Sequence, residues 1–522
     1  MSFWGWGEPN RFPDIEARRA TGELLPQLVG IPARAPEDPV PFDRAALSES
    51  RIEVPKRLTE IVDGTSEARI GHARGKSYPD LWRGFHGLPP TAPDAVAFPS
   101  SSSQIMEILE WCEKTGIAVV PFGGGTSVVG GVEPPRDRMS LSLSLARLDR
   151  VLEVDPISRL ARIQAGATGP KLEASLGRHG MTLRHYPQSF EYSTLGGWIA
   201  TRAAGHYATG PTRIDAFVHS VEMVSPAGTL VTRQVPSTGA GPDVRTFALG
   251  SEGTLGVITE AVMRVRRRPK FRARATARFA TFLAGAEAVR ALVQLGLEPS
   301  NCRLLDPVEA AMFGVAGGDA AILILAQESE DVPLDRWLTT ATRHIEASGG
   351  EVTAQRSTES DRPEEDARWR AAFFEGPYLQ NVMVSLGVVA DTFETAVTWD
   401  RFSSFYEQII GTVGQVVGRG NGQGRVSCRI THAYPDGPAP YFTFVAAPRR
   451  RGAELELWSE IKRAASDAVI EAGGTITHHH AVGRTHLPWH ERERGPLVGA
   501  ALKALKRVFD PHAIMNPGVL VL

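Results

Sequence analysis

The sequence from position 117 reads Ile117-Ala118-Val119-Val120-Pro121-Phe122-Gly123-Gly124-Gly125-Thr126-Ser127-Val128-Val129-Gly130-Gly131. Its first part is apolar and rich in β-branched residues, which predicts a strand that leads directly into a glycine-rich turn. Glycine has no Cβ to block a ligand, and successive N–H groups in such a turn form an anion-binding concavity. Thr126 and Ser127 add hydroxyl donors. The stretch predicts a phosphate-binding loop, with an ordinary glycine-rich hairpin as the alternative.

Two common phosphate motifs do not fit this loop. A Walker loop carries a lysine after its last glycine, whereas Val132 follows Gly131 here. A dinucleotide-binding fingerprint opens a helix, whereas Pro134-Pro135 comes next and residues 139–145 alternate like a strand. We therefore predict a phosphate loop between two strands, outside a simple Rossmann fold.

The composition is that of an ordinary globular protein. The chain has 522 residues, 42% of them hydrophobic and 22% charged, and this length predicts two or three domains. The formal net charge of -2 argues against a nucleic-acid partner. Cys112, Cys302 and Cys428 form no CxxC pair, which indicates a reducing compartment and argues against a structural metal site. No signal peptide or membrane-spanning run is recognisable, so we expect a cytoplasmic protein, in solution or in contact with a membrane surface.

The first 92 residues are rich in proline, arginine and glutamate. We expect the aromatic start, Trp4-Gly5-Trp6-Gly7, to pack against the main body, with a membrane anchor as the alternative. Residues 71–77, GHARGKS, are one residue too short for a Walker loop, and we interpret them as a polar loop.

From Pro93 onward the pattern predicts an α/β fold. Residues 95–99 are typical of a strand, and residues 101–114 of an amphipathic helix that begins with serines. The basic run at 264–270 marks a boundary, after which a second α/β region begins. We divide the chain into an N-terminal segment (1–92), a ligand-binding domain (93–269) and a second α/β domain from 270.

Two more loops rich in glycine, serine and threonine lie in the first α/β domain. The second loop runs from Gln188 to Gly205, and the third runs from Gly250 to Glu260. Any one of them could be only a turn. Three such loops in one domain are better explained by one long ligand that contacts them all.

A run of three histidines, His478-His479-His480, lies near the C-terminus. If it is extended, His478 and His480 share one face and His479 takes the other. Neighbouring acid or thiol ligands are missing, which argues against a metal site. Because imidazole titrates near neutral pH, we interpret the run as an acid/base cluster beside an organic cofactor, with a surface histidine run as the alternative.

Upstream of the histidines, residues 428–445 predict a hairpin. It carries Arg429, which could bind a carboxylate or phosphate or could form a structural ion pair. Tyr434 and Tyr441 are candidates for proton transfer, with packing as the alternative.

The three loops, in this order, resemble the FAD-binding domain of the PCMH-type, or vanillyl-alcohol oxidase, flavoprotein superfamily. Within it, the chain is most similar to the alkylglycerone-phosphate synthase family. The likeness rests on Pro121-Phe122-Gly123-Gly124-Gly125-Thr126-Ser127, Gly196-Gly197, Glu252-Gly253-Thr254-Leu255-Gly256-Val257-Ile258, Trp4-Gly5-Trp6-Gly7, Phe393-Glu394-Thr395, Cys428-Arg429-Ile430-Thr431, Tyr441-Phe442, the histidine run and the ending from Asp510-Pro511 to Asn516.

The resemblance implies an α/β (α+β) fold. It consists of a two-part FAD-binding domain, an α/β cap domain over 270–505, and a C-terminal segment, 506–522, that returns to the FAD-binding domain. FAD is expected to be non-covalent, because the first loop lacks the histidine or cysteine to which many relatives attach it. The expected cofactor contacts are Pro121, Phe122, Gly123, Gly124, Gly125, Thr126, Ser127, Gln188, Ser189, Ser193, Thr194, Gly196, Gly197, Ala200, Thr201, Arg202, Ala203, Glu252, Gly253, Thr254, Leu255, Gly256, Val257 and Ile258.

The synthase family exchanges the acyl chain of an acyl dihydroxyacetone phosphate for a fatty alcohol, through an adduct at flavin N5, in ether-lipid synthesis. The resemblance therefore implies a lipid or similar small-molecule substrate, and we also expect a homodimer. By position, Tyr441 becomes the proton-transfer residue, and His478, His479 and His480 line the reacting carbon. Arg429 is a further candidate catalytic residue.

One expected substrate contact departs from the family, which has arginine where this chain has Gln380. A neutral amide in place of a cation should weaken anion binding. This favours the alternative of an FAD-dependent dehydrogenase or oxidase of a 2-hydroxy acid or alcohol, in which histidines accept the hydroxyl proton. A flavin-binding protein without activity is a third interpretation, and it requires Tyr441 and the histidines to lie away from the flavin.

Overall fold

The structure is a computed structural model that describes residues 2–43, 47–207, 209–312, 314–315, 319–359, 364–419 and 424–521, with the backbone alone for 364–374. It has a mixed α/β architecture with two large hydrophobic cores, one in each half of the chain. None of the helices in these residues is both long and apolar enough to cross a membrane.

The apolar run before the first glycines forms a strand of a four-stranded sheet, in which it pairs in parallel with its neighbour. The order is β1–β2–β4–β3. The C-terminal segment returns to this sheet, where Met515 pairs with Val119. The elements here are α1 (Ile15–Val29), β1 (Val62–Asp63), α2 (Ser66–Gly71), α3 (Tyr78–Phe85), β2 (Ala95–Ala97), α4 (Ser102–Thr115), β3 (Ala118–Phe122) and β4 (Ser140–Ser144).

A five-stranded sheet follows in the order β5–β6–β10–β8–β9, beside a small β11–β7 pair. Its helix α6 begins in the second loop, and its strand β10 begins in the third loop, so the fold brings both loops to this sheet. The elements are β5 (Val151–Asp155), β6 (Leu160–Gln164), α5 (Gly169–Gly177), β7 (Met181–Thr182), α6 (Leu195–Thr201), α7 (Ile214–Phe217), β8 (Val218–Ser225), β9 (Gly228–Val231), β10 (Val257–Arg264) and β11 (Arg266–Arg267).

The second half contains a seven-stranded antiparallel sheet in the order β15–β12–β14–β13–β17–β18–β16. The elements are β12 (Phe271–Phe279), α8 (Phe282–Gln294), β13 (Asn301–Leu305), α9 (Pro307–Met312), β14 (Ala321–Ser329), α10 (Asp335–Ala347), β15 (Glu351–Glu359), α11 (Glu364–Ser385), β16 (Val389–Glu394), α12 (Trp399–Arg419), β17 (Gly424–Ala433), β18 (Pro438–Ala446), α13 (Glu454–Glu471) and α14 (Leu487–Phe509).

The two faces of this sheet differ. Cys428 and Phe442 belong to the large core formed with helices such as α12 and α13. Because side chains alternate along a strand, Arg429 and Tyr441 lie on the opposite face. That face meets the first half of the chain, where Arg303 of β13 contacts His206.

The aromatic start packs against the main body, as the sequence predicts. Trp4 and Trp6 are buried in the large core of the second half. The side-chain oxygen of Asn381 accepts the Trp6 N–H at 2.9 Å, and the Asn381 amide donates to the Trp6 carbonyl oxygen at 2.9 Å. The membrane-anchor alternative is therefore wrong for these two side chains.

Candidate active site

The first glycine loop lies directly against the second. A methyl group at Gly123 would overlap Thr194 Oγ1, and one at Gly124 would overlap the carbonyl oxygen of Tyr192. Gly125 adopts a φ of +65°, in the left-handed region that favours glycine. The glycines are thus needed for the close approach of two backbones within the protein itself.

The third loop meets the first from another side. At Gly253, where φ is +73°, a methyl group would lie 2.9 Å from Pro121 Cγ. The Asn516 side chain donates to the carbonyl oxygens of Gly131, at 3.0 Å, and Glu252, at 2.7 Å. All three loops and the C-terminal segment therefore meet, and we call this meeting point the cofactor cradle.

The residues of the cofactor cradle fit FAD. Ser251 Oγ and Asn516 Oδ1 are buried there, and neither atom has a hydrogen-bond partner within the described residues. A polar ligand can satisfy such atoms. The glycines leave main-chain groups next to the ligand instead of side chains, which suits the pyrophosphate of a dinucleotide.

The expected contacts with FAD do not all offer a polar side chain to the cradle. Ala203, Leu255, Val257 and Ile258 belong to the core of the first half. Several of the polar side chains are bound within the protein: Arg202 forms an ion pair with Asp215, Ser193 Oγ accepts the Trp198 indole N–H at 2.7 Å, and Thr254 Oγ1 donates to the Ser251 carbonyl oxygen at 2.7 Å. The four apolar residues can offer only their backbone to a polar group of a ligand.

Residues 72–77 form a loop, as the sequence predicts, and Ala73 and residues 75–77 within it are buried behind the first loop. The N–H of Lys76 donates to the Ser127 carbonyl oxygen at 2.6 Å, and Gly75 packs against Ser127. The Lys76 ammonium donates to the Ser2 carbonyl oxygen at 3.3 Å. Burial lowers the pKa of Lys76 to about 8. The polar composition of the loop did not indicate this burial, because polar residues can line an internal contact when each finds a partner.

Glu252 joins the cradle to the segment that follows the histidines. Its carboxylate accepts the N–H groups of Val482, at 2.9 Å, and Gly483, at 2.7 Å. Burial raises the pKa of Glu252 to about 7, although the two N–H groups act in the opposite direction. The carboxyl therefore changes protonation near neutral pH.

Tyr441 and Arg429 are buried neighbours on the face of the seven-stranded sheet that meets the first half of the chain. The Arg429 guanidinium carbon lies 4.0 Å from the centre of the Tyr441 ring, and Arg429 forms a buried ion pair with Glu309. The Tyr441 hydroxyl shares a hydrogen bond of 2.9 Å with Thr392 Oγ1. Burial raises the pKa of Tyr441, whereas Arg429 lowers it. Of the two sequence interpretations of Arg429, the structure shows the ion pair.

The three histidines form a turn, so the extended arrangement considered from the sequence is wrong. The turn wraps around the Glu394 carboxylate, which accepts the N–H groups of His478, His479 and His480 at 2.6, 3.0 and 2.8 Å. Thr477 adds its hydroxyl at 2.6 Å. An acid therefore does lie beside the histidines, although it is far from them in sequence.

His478 and His432 connect the turn to the cofactor cradle. His478 Nε2 lies 2.7 Å from the Tyr434 hydroxyl, and His478 Nδ1 lies 3.0 Å from His479 Nδ1. His432 Nε2 donates to the carbonyl oxygen of Gly205 at 3.0 Å. His432 is thus linked to the end of the second loop, and Glu252 links the third loop to the residues just after the histidines. The surface-run interpretation fails for His478, which is buried.

Burial keeps most of this cluster neutral at pH 7. It lowers the pKa of His478 and of His480 to about 3, and it lowers the pKa of His432 well below its usual value. Neutral imidazoles can accept protons. Ligand atoms of His432, His478 and His479 also lie within 4.8 Å of one another, close enough for a metal ion. Four of their six ring nitrogen atoms have the hydrogen-bond partners described above.

Comparison with known proteins identifies the family. Residues 93–233 match the family "FAD binding domain", and residues 268–520 match "FAD linked oxidases, C-terminal domain". The alkyldihydroxyacetonephosphate synthase of Caenorhabditis elegans is 31% identical over 91% of this chain and 85% of its own length. That of Dictyostelium discoideum is 29% identical over 99% and 92%. The chain belongs to the alkyldihydroxyacetonephosphate synthase family.

Members of this family, also called alkylglycerone-phosphate synthases, share the fold as well. A solved alkyldihydroxyacetonephosphate synthase superposes with a TM-score of 0.82 at 24% identity, over 99% of this chain and 98% of that chain. The family membership confirms that the protein is an FAD-dependent enzyme. The interpretation as a flavin-binding protein without activity is thus excluded.

Gln380, which replaces the arginine expected in the synthase family, has protein partners at both ends of its amide. Its Oε1 accepts the Trp6 indole N–H at 3.2 Å, and its Nε2 donates to the Ala390 carbonyl oxygen at 3.1 Å. The structure therefore places Gln380 in the packing between α11, β16 and the aromatic start.

Sequence reasoning did not single out Glu394, His432 or Glu309 as site residues. Glu394 and His432 stand within or beside stretches that carry the family resemblance, so closeness to those motifs was the available signal. Glu309 had no such signal, because it lies in α9, 120 positions from its partner Arg429.

Proposed function

We propose that the enzyme exchanges the acyl chain of an acyl dihydroxyacetone phosphate for a fatty alcohol. The acyl chain leaves as a fatty acid and an ether bond forms, so the reaction involves no net oxidation or reduction. The observation that carries the proposal is the buried grouping of Tyr441 with the histidine turn, next to the cradle. FAD, when bound, supplies an electron-accepting ring system to the reacting carbon.

The side chains around this point can move a proton in both directions. The neutral imidazoles of His478 and His480 are acceptors, while the Tyr441 phenol keeps its proton because burial raises its pKa. The Tyr441 ring centre lies 6.1 Å from the His479 ring and 5.6 Å from the His480 ring. Burial of the group also excludes water, which would otherwise compete with the alcohol.

A second candidate function is oxidation of a 2-hydroxy acid or alcohol. It is favoured by Gln380, which leaves an anionic substrate without the expected arginine, and by the match to a family named for FAD-linked oxidases. The same neutral histidines would accept the hydroxyl proton.

An anaerobic absorbance experiment separates the two reactions. The FAD-loaded enzyme is mixed in turn with acyl dihydroxyacetone phosphate and with a panel of 2-hydroxy acids and alcohols. We expect the phosphate lipid to change the oxidised flavin band, and a fatty alcohol to restore it with an ether product visible by mass spectrometry. Bleaching by a hydroxy acid or alcohol, with no response to the lipid, would instead support the oxidoreductase.

Three further expectations belong to this proposal. FAD is non-covalent, since the first loop from Pro121 to Ser127 has no histidine or cysteine, and acid precipitation should leave the flavin in the supernatant. The enzyme is a homodimer, which light scattering of the purified protein measures. It is cytoplasmic or in peripheral contact with membranes, which cell fractionation distinguishes.

A further inference from the structure

Glu394, the last residue of β16, is buried to 3% exposure. Three consecutive backbone N–H groups, those of His478, His479 and His480, converge on its carboxylate together with the Thr477 hydroxyl. Successive N–H groups can point at one centre only in a turn built around an anion. Without this acceptor the N–H groups would be buried and unpaired, which a folded protein avoids.

The same carboxylate is fixed relative to Tyr441. Glu394 and Tyr441 are cross-strand partners in the β16–β18 ladder, so their side chains lie on the same face of the sheet. Thr395, the next residue, holds the segment that leads into the turn, because its Oγ1 donates to the Thr475 carbonyl oxygen at 2.5 Å. One end of β16 therefore holds both the turn and the tyrosine.

We propose that Glu394 is a positioning residue, whose carboxylate shapes the histidine turn and directs the imidazoles of His479 and His480 toward Tyr441. Its oxygens lie 3.3 Å from His479 Nδ1 and 3.8 Å from His480 Nδ1, so it also orients the rings directly. Glu394 therefore affects turnover through the positions of the two imidazoles relative to Tyr441. The inference rests on the proposed role of Tyr441 and the histidines in turnover, for either of the two candidate reactions.

Two substitutions separate the charge of Glu394 from its shape. Glu394→Gln keeps the size but removes the charge and turns an NH2 group toward the backbone donors. Glu394→Asp keeps the charge on a side chain that is one methylene shorter.

Glu173 provides a matched control, because its hydrogen-bond partners lie outside the histidine turn. It is also buried, and its carboxylate accepts the N–H groups of Leu183, at 2.9 Å, and Arg184, at 3.3 Å, together with the Thr182 hydroxyl at 2.8 Å. Glu173→Gln should therefore disturb a similar set of hydrogen bonds without changing the histidine turn.

The FAD-loaded variants are compared by flavin content, melting temperature, kcat and KM. We expect Glu394→Gln to retain FAD and to lose about 100-fold in kcat, with KM changed by less than about threefold. The kcat of Glu394→Asp should be about tenfold higher than that of Glu394→Gln. Glu173→Gln should lower the melting temperature and leave kcat within about twofold. A kcat of Glu394→Gln within twofold of wild type, or an equal loss in Glu173→Gln, overturns the proposal.

A spectrum without substrate keeps this test independent of the reaction. In protein labelled with 15N-histidine, Glu394→Gln should shift the imidazole signals that His479→Ala and His480→Ala remove, whereas Glu173→Gln should leave them in place. Unchanged imidazole signals in Glu394→Gln overturn the positioning role. If the wild-type enzyme converts neither substrate class while these signals do shift, the proposed function fails and the positioning inference stands.

Discussion

The cofactor cradle and the histidine turn are two sites built in opposite ways. In the cradle, glycines let the three loops approach so closely that an added Cβ would overlap a neighbouring loop. The histidine turn is instead organised by one side chain, the carboxylate of Glu394, which lies 84 positions from His478 in the sequence. The cradle can be predicted from short runs of sequence. The histidine turn cannot, because its residues come together only in the folded protein.

If the cradle depends on backbone contact, a single methyl-bearing residue should destroy it. We expect Gly124→Val to lose bound FAD, because its Cβ would overlap the carbonyl oxygen of Tyr192 and separate the first two loops. Gly64→Val is the control, since nothing lies within 4 Å of a methyl group at Gly64. The measurement is the ratio of flavin to protein absorbance after gel filtration. A fully loaded Gly124→Val protein would show that the loops do not hold the cofactor.

The structure gives a different physical reason for this loss of FAD from the one that the sequence suggests. From the sequence, the glycines of the first loop are expected to leave the backbone open to a ligand, because a Cβ would block its approach. The structure shows that a Cβ at position 124 would first collide with the second loop of the protein. The glycines were recognisable because a turn that accepts close contact leaves a compositional signal, but the identity of the contacting group is a tertiary property.

The contrast between the two sites explains how far sequence reasoning reached. It predicted the strand before the first loop, the helix after position 101, the hairpin and the return of the C-terminal segment, all from local patterns or family motifs. It missed Glu394 and the burial of Lys76, because nothing local shows that a charged side chain will meet a partner from another element. The order of the histidines likewise gave no sign of the anion inside their turn.

Changing the histidine turn should leave the cradle intact. We expect the double variant His479→Ala, His480→Ala to bind FAD normally and to lose about 100- to 10,000-fold in kcat, which is the usual range for removal of acid/base groups. His179→Ala, at an exposed position in the first half, is the control. Turnover is measured with whichever substrate class the absorbance experiment identifies. Activity that survives in the double variant would mean that these imidazoles are not catalytic.

The two sites also contain buried carboxyls that behave differently. Burial raises the pKa of Glu252 in the cradle to about 7. Burial acts in the same direction on Glu394, but His479 and His480 outweigh it and hold the pKa of that carboxyl well below its usual value. The cradle carboxyl therefore titrates near neutral pH, and the turn carboxylate stays ionised.

This difference predicts that Glu252 of the cradle, unlike Glu394 of the turn, contributes to the pH dependence of stability near neutral pH. Because the pKa of Glu252 is raised in the folded state, its contribution to stability is present below about pH 4.5 and is lost as the pH rises through about 7. The loss amounts to at most about 3 kcal/mol. In Glu252→Gln, which cannot titrate, the free energy of unfolding should fall less between pH 5 and pH 8 than in wild type. Parallel curves from denaturant titrations at several pH values would contradict the assignment.

The smallest effect is expected at Gln380, which stands at a motif position of the family but packs here against other parts of the chain. Gln380 uses its amide to join the Trp6 indole and the Ala390 carbonyl oxygen, so it supports the aromatic start. Gln380→Leu should cost about 1–2 kcal/mol in the free energy of unfolding, because the partly buried carbonyl and indole lose their partner. The KM for acyl dihydroxyacetone phosphate should stay within about twofold. Leu379→Ala, at an exposed position on the same helix, controls for changes in α11 itself. A KM that rises by about tenfold in Gln380→Leu, with stability unchanged, would instead place the amide against the substrate and make position 380 part of the side-chain site.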